Sequence, residues 1–252
     1  MEKIAVKKLT AQIEQKTILQ DISFEVEAGQ SLVIIGESGS GKTLLTKILI
    51  GQLPSSLSMQ GEVHYGSMSL EPDSIKAWQQ LRGSQVAYMS QNPMAMFNPF
   101  QTIQSHFWET LRSHSKISKS ACLTKALASM KEVRLGEPEE LLKKYPFELS
   151  GGMLQRVMLA ILLCLEPETI ILDEPTSALD PISAGKIEET LYGLKDRYTM
   201  LLVTRSMQQA SRISDKTAFF LDGDLIEYND TNEMFLNPAK KETEDYVSGK
   251  FG

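Results

Sequence analysis

The spacing of hydrophobic positions changes several times along the chain, and each change marks an element. Ile4 to Leu9 and Ile18 to Val26 alternate apolar and polar residues, with Glu25 and Glu27 flanking Val26, the two-residue period of a strand. Ala28-Gly29 turns the chain into Ser31 to Ile35, a run apolar at successive positions. Such a run suits a strand covered on both faces, as in a parallel sheet. Leu44 to Leu53 has helical spacing and is closed by Pro54 and a Ser-rich turn, and Gln85 to Met89 reads as another strand.

From about Pro99 to Glu148 the period becomes helical, with Ile103, Phe107 and Leu111, then Leu123, Leu127 and Met130, on repeating faces. Strand signals return at Thr169 to Leu172, Met200 to Val203 and Ala218 to Leu221, separated by helical stretches at Ala184 to Leu194 and Met207 to Ile213. Strands alternating with helices predict an α/β fold: a mixed sheet with a parallel core, flanked by helices. The expected division is a core lobe of residues 1–92 and 160–252 with an inserted helical lobe, 93–159.

Between the apolar strand and the next helix lies Gly36-Glu37-Ser38-Gly39-Ser40-Gly41-Lys42-Thr43. In that context the spacing is a phosphate-binding loop: glycines let successive N–H groups turn inward, and the helix N-terminus adds partial positive charge. Lys42 reaches the β and γ phosphates of ATP, and the Thr43 hydroxyl binds Mg²⁺. Thr169 to Leu172 leads into Asp173-Glu174, two acids at the carboxyl edge of the sheet. Asp173 is placed to hold Mg²⁺, and Glu174 to polarise a water attacking the γ-phosphate. Leu149-Ser150-Gly151-Gly152-Met153 opens a helix that Ser150 caps, with two glycines that admit an anion close to the backbone.

Composition narrows the field. The 252 residues are 42% hydrophobic and 23% charged, with a formal net charge of -6. A nucleic acid as main partner is disfavoured, since phosphate backbones are held by concentrated Lys and Arg. Cys122 and Cys164 are too few for a disulfide framework, which fits a reducing compartment. Met1 to Lys16 lacks the apolar core of a signal peptide, and Leu159 to Leu165 is far shorter than the roughly 20 apolar residues of a membrane helix. His64, His106 and His114 have no metal-ligand spacing. Trp78, Phe107 and Trp108 are expected to pack the helical lobe or meet a membrane partner.

Together the loop, Gln91, Leu149-Ser150-Gly151-Gly152 and Asp173-Glu174, in this order, resemble the ATP-binding subunit of ATP-binding-cassette importers over nearly the whole chain. The resemblance implies an ATPase that drives solute uptake through two membrane-spanning permease subunits from the cytoplasmic face of the membrane. An extracellular solute-binding protein would act indirectly. It also implies a second, identical or homologous ATPase subunit, whose Ser150 segment completes the Gly36 site in trans. Gln91 resembles the glutamine that contacts Mg²⁺ and senses the permease, and Ser177-Ala178-Leu179-Asp180 the segment linking the two sites.

Two positions depart from the family pattern. No aromatic ring lies near Ile13, where adenine would stack, and Arg205 stands where a histidine usually contacts the γ-phosphate. Arginine keeps a charge-assisted donor but cannot exchange protons near neutral pH, so Arg205 is expected to act as an electrostatic clamp.

The resemblance is also composite. Ser90 to Met94, Phe97-Asn98-Pro99 and Tyr145 to Met158 resemble ATPases of nickel and peptide importers. From about Asp180 onward, including Met207 to Arg212 and Lys241 to Tyr246, the chain resembles phosphate importers. The first group covers the segment expected to meet the permease, so nickel or peptide is the expected cargo and phosphate the alternative. A non-transport ATPase of the same family and a weakly hydrolysing regulatory subunit are the more distant readings.

Overall fold

A computed structural model describes residues 2–71 and 74–250, and within them every side chain except those of Ile75 and Pro93. Met1, Pro72, Asp73, Phe251 and Gly252, all in the expected core lobe, lie outside the described residues. The chain begins with β1 (Ile4–Ile13), β2 (Lys16–Val26), β3 (Ser31–Gly36), α1 (Lys42–Leu49), β4 (Leu57–Tyr65), β5 (Met68–Leu70), α2 (Ile75–Leu81) and β6 (Val86–Met89). The helical stretch follows as α3 (Ile103–His114), α4 (Lys119–Glu132), α5 (Pro138–Leu141) and α6 (Gly151–Leu163). The remainder is β7 (Thr169–Asp173), α7 (Pro181–Leu194), β8 (Thr199–Val203), α8 (Met207–Ile213), β9 (Lys216–Leu221), β10 (Asp224–Asp230), α9 (Thr231–Leu236) and α10 (Lys241–Val247).

Among the described residues, ten strands form one sheet in the order β5-β4-β1-β2-β10-β9-β3-β8-β7-β6. β3 lies between β8 and β9 and is parallel to both, while β7 continues the parallel run to β6. At the other end β1 pairs antiparallel with β2 and β4. The two-residue period of β3 divides the interior. Val33 and Ile35 face a core shared with α3, α4, α6, α7 and α8, whereas Leu32 and Ile34 face a second core with α1, α2 and the antiparallel strands. Every residue of β3 is buried, as a strand covered on both faces requires.

Two expectations are corrected here. The helix after the loop ends at Leu49 and does not reach Leu53. Gly51 adopts φ 64, and the N–H groups of Gly51 and Gln52 return to the carbonyls of Ile48 and Lys47, a left-handed cap that stops the helix. Trp78 packs in the second core, on the far side of the sheet from α3 and α4. It closes on Gly51, where an added Cβ would come within 2.2 Å of the indole. The Ser-rich turn is present at Ser55-Ser56, closed by the Leu57 N–H on the Pro54 carbonyl, and leads into β4 and β5, an antiparallel edge.

Asp215 ties the start of β3 to its neighbours. Its Oδ2 accepts from the Ser31 N–H and Oγ at 2.8 and 2.7 Å, and its Oδ1 accepts from Lys195 Nζ at 3.2 Å. Partial burial raises its pKa, but the Ser31 hydrogen bonds and Lys195 outweigh that, leaving the carboxyl below the ordinary aspartate value of 3.8. A depressed pKa gives stability that is present above the unfolded value and lost as pH falls through the folded one. Asp215→Ala should therefore lower unfolding free energy at pH 7 by about 1 kcal/mol, the modest end for a charged group because the carboxylate is partly exposed. In urea titrations the difference from wild type should shrink as pH falls below about 4.

Candidate active site

Parallel strands deliver their C-terminal ends to one edge of the sheet, and three of them bring the chemistry here. β3 ends at Gly36 and opens the loop, β7 ends at Asp173 with Glu174 next, and β8 ends at Val203 just before Thr204-Arg205. The register aligns Asp173 with Val203 across β7 and β8, and the Glu174 N–H donates to the Val203 carbonyl at 2.9 Å. Ser38, Gly39, Gly41, Lys42, Thr43, Leu44, Gln91, Glu174 and Arg205 line one cleft of about 320 Å³.

The loop is shaped from within. Gly36, Gly39 and Gly41 all take positive φ, and a Cβ on Gly36 would lie 2.1 Å from the Phe220 carbonyl oxygen. The Lys42 ammonium folds back into the loop. It donates to the carbonyl of Gly36 at 2.9 Å and to Ser40 Oγ at 3.1 Å, with a further short contact to the Glu37 carbonyl. Ser40 Oγ in turn donates to the Glu37 carbonyl at 2.9 Å. Burial lowers the Lys42 pKa, with the Glu174 carboxylate opposing the shift and Arg205 adding to it. α1 starts at Lys42 without a side-chain cap, so its first N–H groups face the cleft.

Beneath the loop, Thr43 Oγ1 donates to Asp173 Oδ1 at 3.2 Å and Tyr88 Oη to Asp173 Oδ2 at 3.4 Å. Burial raises the pKa of Asp173 and, as the main cause, that of Tyr88, the latter to about 12. Thr43 and Asp173 thus present hard oxygens side by side at the loop, a donor set that fits Mg²⁺. Glu174 turns out of β7 with φ 46, and its carboxylate is nearly buried. Its Oε2 accepts from Arg205 Nη2 at 2.8 Å, Arg205 Nε at 3.2 Å and Gln91 Nε2 at 3.1 Å. Arg205 Nη1 also donates to Ser38 Oγ at 3.2 Å, so one guanidinium bridges the loop and the acid.

Ser150, Gly152 and Asp180 stand apart from this cleft. Ser150 Oγ caps α6 by accepting from the Met153 N–H, and Gly152 is buried where a Cβ would meet Ser183 at 2.7 Å. Asp180 Oδ1 caps α7 by accepting from the Ile182 and Ser183 N–H groups at 3.1 and 3.0 Å, and the Ser183 hydroxyl, followed by these amides, depresses its pKa. Gly151 lines a neighbouring cavity of about 530 Å³ that shares Gln91 and Arg205 with the cleft. Ile13 sits at the β1–β2 hairpin opposite Lys16, and the cleft lining contains no aromatic ring. Tyr88 was absent from the expected set; a tyrosine within an otherwise apolar parallel strand, one residue before Met89, was its signal.

A profile of the ABC transporter family matches residues 19–177. The chain belongs to the ABC transporter family. It is 46% identical to the phosphate import ATP-binding protein PstB 1 of Streptococcus pneumoniae, over 99% of this chain and 98% of that one. It is 40% identical to PstB 1 of Enterococcus faecalis, over 100% and 99%. A bacterial ABC transporter cassette solved as a dimer matches at TM-score 0.79 and 24% identity over 90% of this chain and 98% of its own. The cassette cbiO1 of Clostridium perfringens gives 0.79 and 22% over 98% and 95%. Membership makes the protein an ATP-binding ATPase of transport. The nickel and peptide part of the composite resemblance is not confirmed: the segments before residue 180 that suggested it lie inside the same full-length match to phosphate import proteins. Among the described residues no helix is long and apolar enough to cross a membrane.

The tight approach of β9 to the loop can be tested directly. Gly36→Ala should destabilise the fold by more than about 2 kcal/mol in urea denaturation, because the Phe220 carbonyl must move to admit the methyl group. A wild-type midpoint would show that this strand end has room to spare.

Proposed function

We propose that this chain is the ATP-hydrolysing motor of a phosphate import system, working in pairs on two membrane-spanning permease subunits at the cytoplasmic face. An extracellular solute-binding protein would deliver the cargo. One observation carries the ATPase part: the Gly36–Thr43 loop, Asp173, Glu174, Gln91 and Arg205 converge on one sheet edge. The cargo is supported by the full-length relatives named for phosphate import.

In this reading the N–H groups of Gly36 to Gly41 and the start of α1 hold the phosphates, and Lys42 moves from its own carbonyls to the β and γ oxygens. Thr43, Asp173 and Gln91 would hold Mg²⁺, which would supply charge neutralisation for the phosphates. Glu174 orients the attacking water. Its Oε2 already receives three donors, so a water can bind that oxygen only when one of them leaves. A γ-phosphate entering beside Ser38 offers Arg205 a second acceptor, freeing a lone pair on Glu174 for water. Arg205 then stabilises the charge that develops on the phosphate.

The N-terminus of α6, with Ser150 to Gly152, would close over the phosphates bound to the partner cassette, and Asp180 would lie in the segment between the two sites. The helical lobe, 93–159, is the proposed permease side, with Phe100 88% and Phe147 74% exposed and Phe147 stacked on Tyr145.

Glu174→Gln should cut ATP turnover at least about 100-fold while leaving nucleotide binding in place. Equal, near-zero rates for wild type and variant would favour a regulatory subunit instead. Arg205→Ala should lower turnover about tenfold or more, with Arg205→His intermediate; wild-type rates in both variants would remove Arg205 from the mechanism. For the cargo, cells lacking the chain should lose uptake of radiolabelled phosphate and keep that of nickel and peptides. The reverse pattern would restore the nickel and peptide reading.

A further inference from the structure

The helical lobe carries a concentration of positive charge that the cleft does not use. From Thr110 to Lys131 the chain has no Asp or Glu, while Arg112, Lys116, Lys119, Lys125 and Lys131 all fall within that stretch. Elsewhere acids prevail, since the whole chain has a formal net charge of -6. The stretch covers the end of α3, the α3–α4 corner and nearly all of α4. Lys125 is answered by Glu166 at 2.7 Å, and Lys131 lies at the far end of α4.

The other three cations belong to one corner, and two of them meet on one ring. Arg112 follows Trp108 by one helical turn and sets its guanidinium carbon 5.9 Å from the indole centroid; Lys119 Nζ, from the start of α4, reaches the same ring at 5.9 Å. Lys116 stands on the corner between the two helices. All three are exposed, and among the described residues none of them has a carboxylate partner. Glu109, the nearest acid in the chain, accepts from Gln101 at 2.6 Å. Beside the ring lies a groove of about 180 Å³ between α3 and α4, bordered by Thr102, Trp108, Lys119 and Leu123. Leu123, one turn on from Lys119, is 38% exposed. Thr102, on the rim, is two residues from the exposed Phe100, so the corner adjoins the proposed permease side.

We propose that this corner is a docking surface for an anionic lipid bilayer: Arg112, Lys116 and Lys119 meet lipid phosphates, and Trp108 and Leu123 enter the headgroup boundary. Unpaired cations around an indole and an exposed leucine are the composition that such a boundary selects, because the ring and the aliphatic chain leave water while the charges stay with the headgroups. Nucleic acid would instead need a longer basic track without the apolar groups. Each cation near an anionic bilayer strengthens binding about fivefold. The contact is weak alone and counts by holding a subunit already at its permease. It is a direct lipid contact beyond the proposed permease contact and needs neither nucleotide nor permease, so its failure would leave the transport reading standing.

The test is co-sedimentation of the purified full chain with vesicles of phosphatidylcholine, alone or mixed with phosphatidylglycerol. The wild type should bind the mixed vesicles and not the neutral ones, and added salt should weaken that binding. A triple variant, Arg112→Gln with Lys116→Gln and Lys119→Gln, should bind the mixed vesicles at least about tenfold more weakly while keeping a native circular dichroism spectrum. Lys240→Gln with Lys241→Gln, which removes two exposed cations at α10, should bind as the wild type does. Three results would overturn the proposal: no preference for the mixed vesicles, wild-type binding by the triple variant, or an equal loss in the α10 variant. Tighter binding to a duplex oligonucleotide than to the mixed vesicles, at the same salt, would overturn it in favour of nucleic acid.

Discussion

A lysine ammonium buried among the carbonyls of its own loop is the feature on which this site depends. Lys42 is 4% exposed, and its hydrogen bonds go to the Gly36 and Glu37 carbonyls and the Ser40 hydroxyl, with no carboxylate among these partners. A cation taken out of water without a directly bonded counter-charge is costly, and the downward push that burial gives its pKa records that cost. The arrangement persists because the loop is held rigidly by β9 at Gly36 and by Ile18 and Leu19 of β2, which press on Gly41. Phosphate is the ligand that meets this ammonium and the open N–H groups of α1 at once.

The remaining chemistry follows from strand order. Because β3, β8 and β7 are adjacent and parallel, their ends bring the loop, Arg205 and the Asp173-Glu174 pair to one edge. The result is a chain of contacts from Ser38 through Arg205 to Glu174 and Gln91. Any group that draws Arg205 toward the loop changes the donor count on Glu174, so the loop and the acid are linked through one side chain. A histidine at this position would carry no permanent charge near neutral pH, so this coupling is particular to the arginine.

Much of this was readable from the residues alone, for a physical reason. The parallel strands are apolar at successive positions, the loop combines glycine spacing with Lys42-Thr43, and the acids stand at the end of an apolar run. Each signal is local and strong. What escaped the sequence depended on contacts between distant segments. β4 and β5 lie at a solvated edge where half the residues are polar, so their period is faint. Trp78 was misplaced because its partner is Gly51, on α1's cap, and not the neighbouring helical stretch. The ion pair of Arg205 with Glu174 joins residues far apart in the chain. The cargo was the least legible feature, because the segments that suggested nickel or peptide lie within a full-length match to proteins named for phosphate import.

The central claim, that the buried Lys42 loop exists to take the phosphates of ATP, is tested most directly by calorimetric titration of Mg²⁺-ATP into wild type and Lys42→Met. With a native circular dichroism spectrum in both, the variant should bind at least about 100-fold more weakly, the loss of two charge-assisted contacts. Equal affinities would contradict the account, because the ammonium would then have no part in holding the nucleotide.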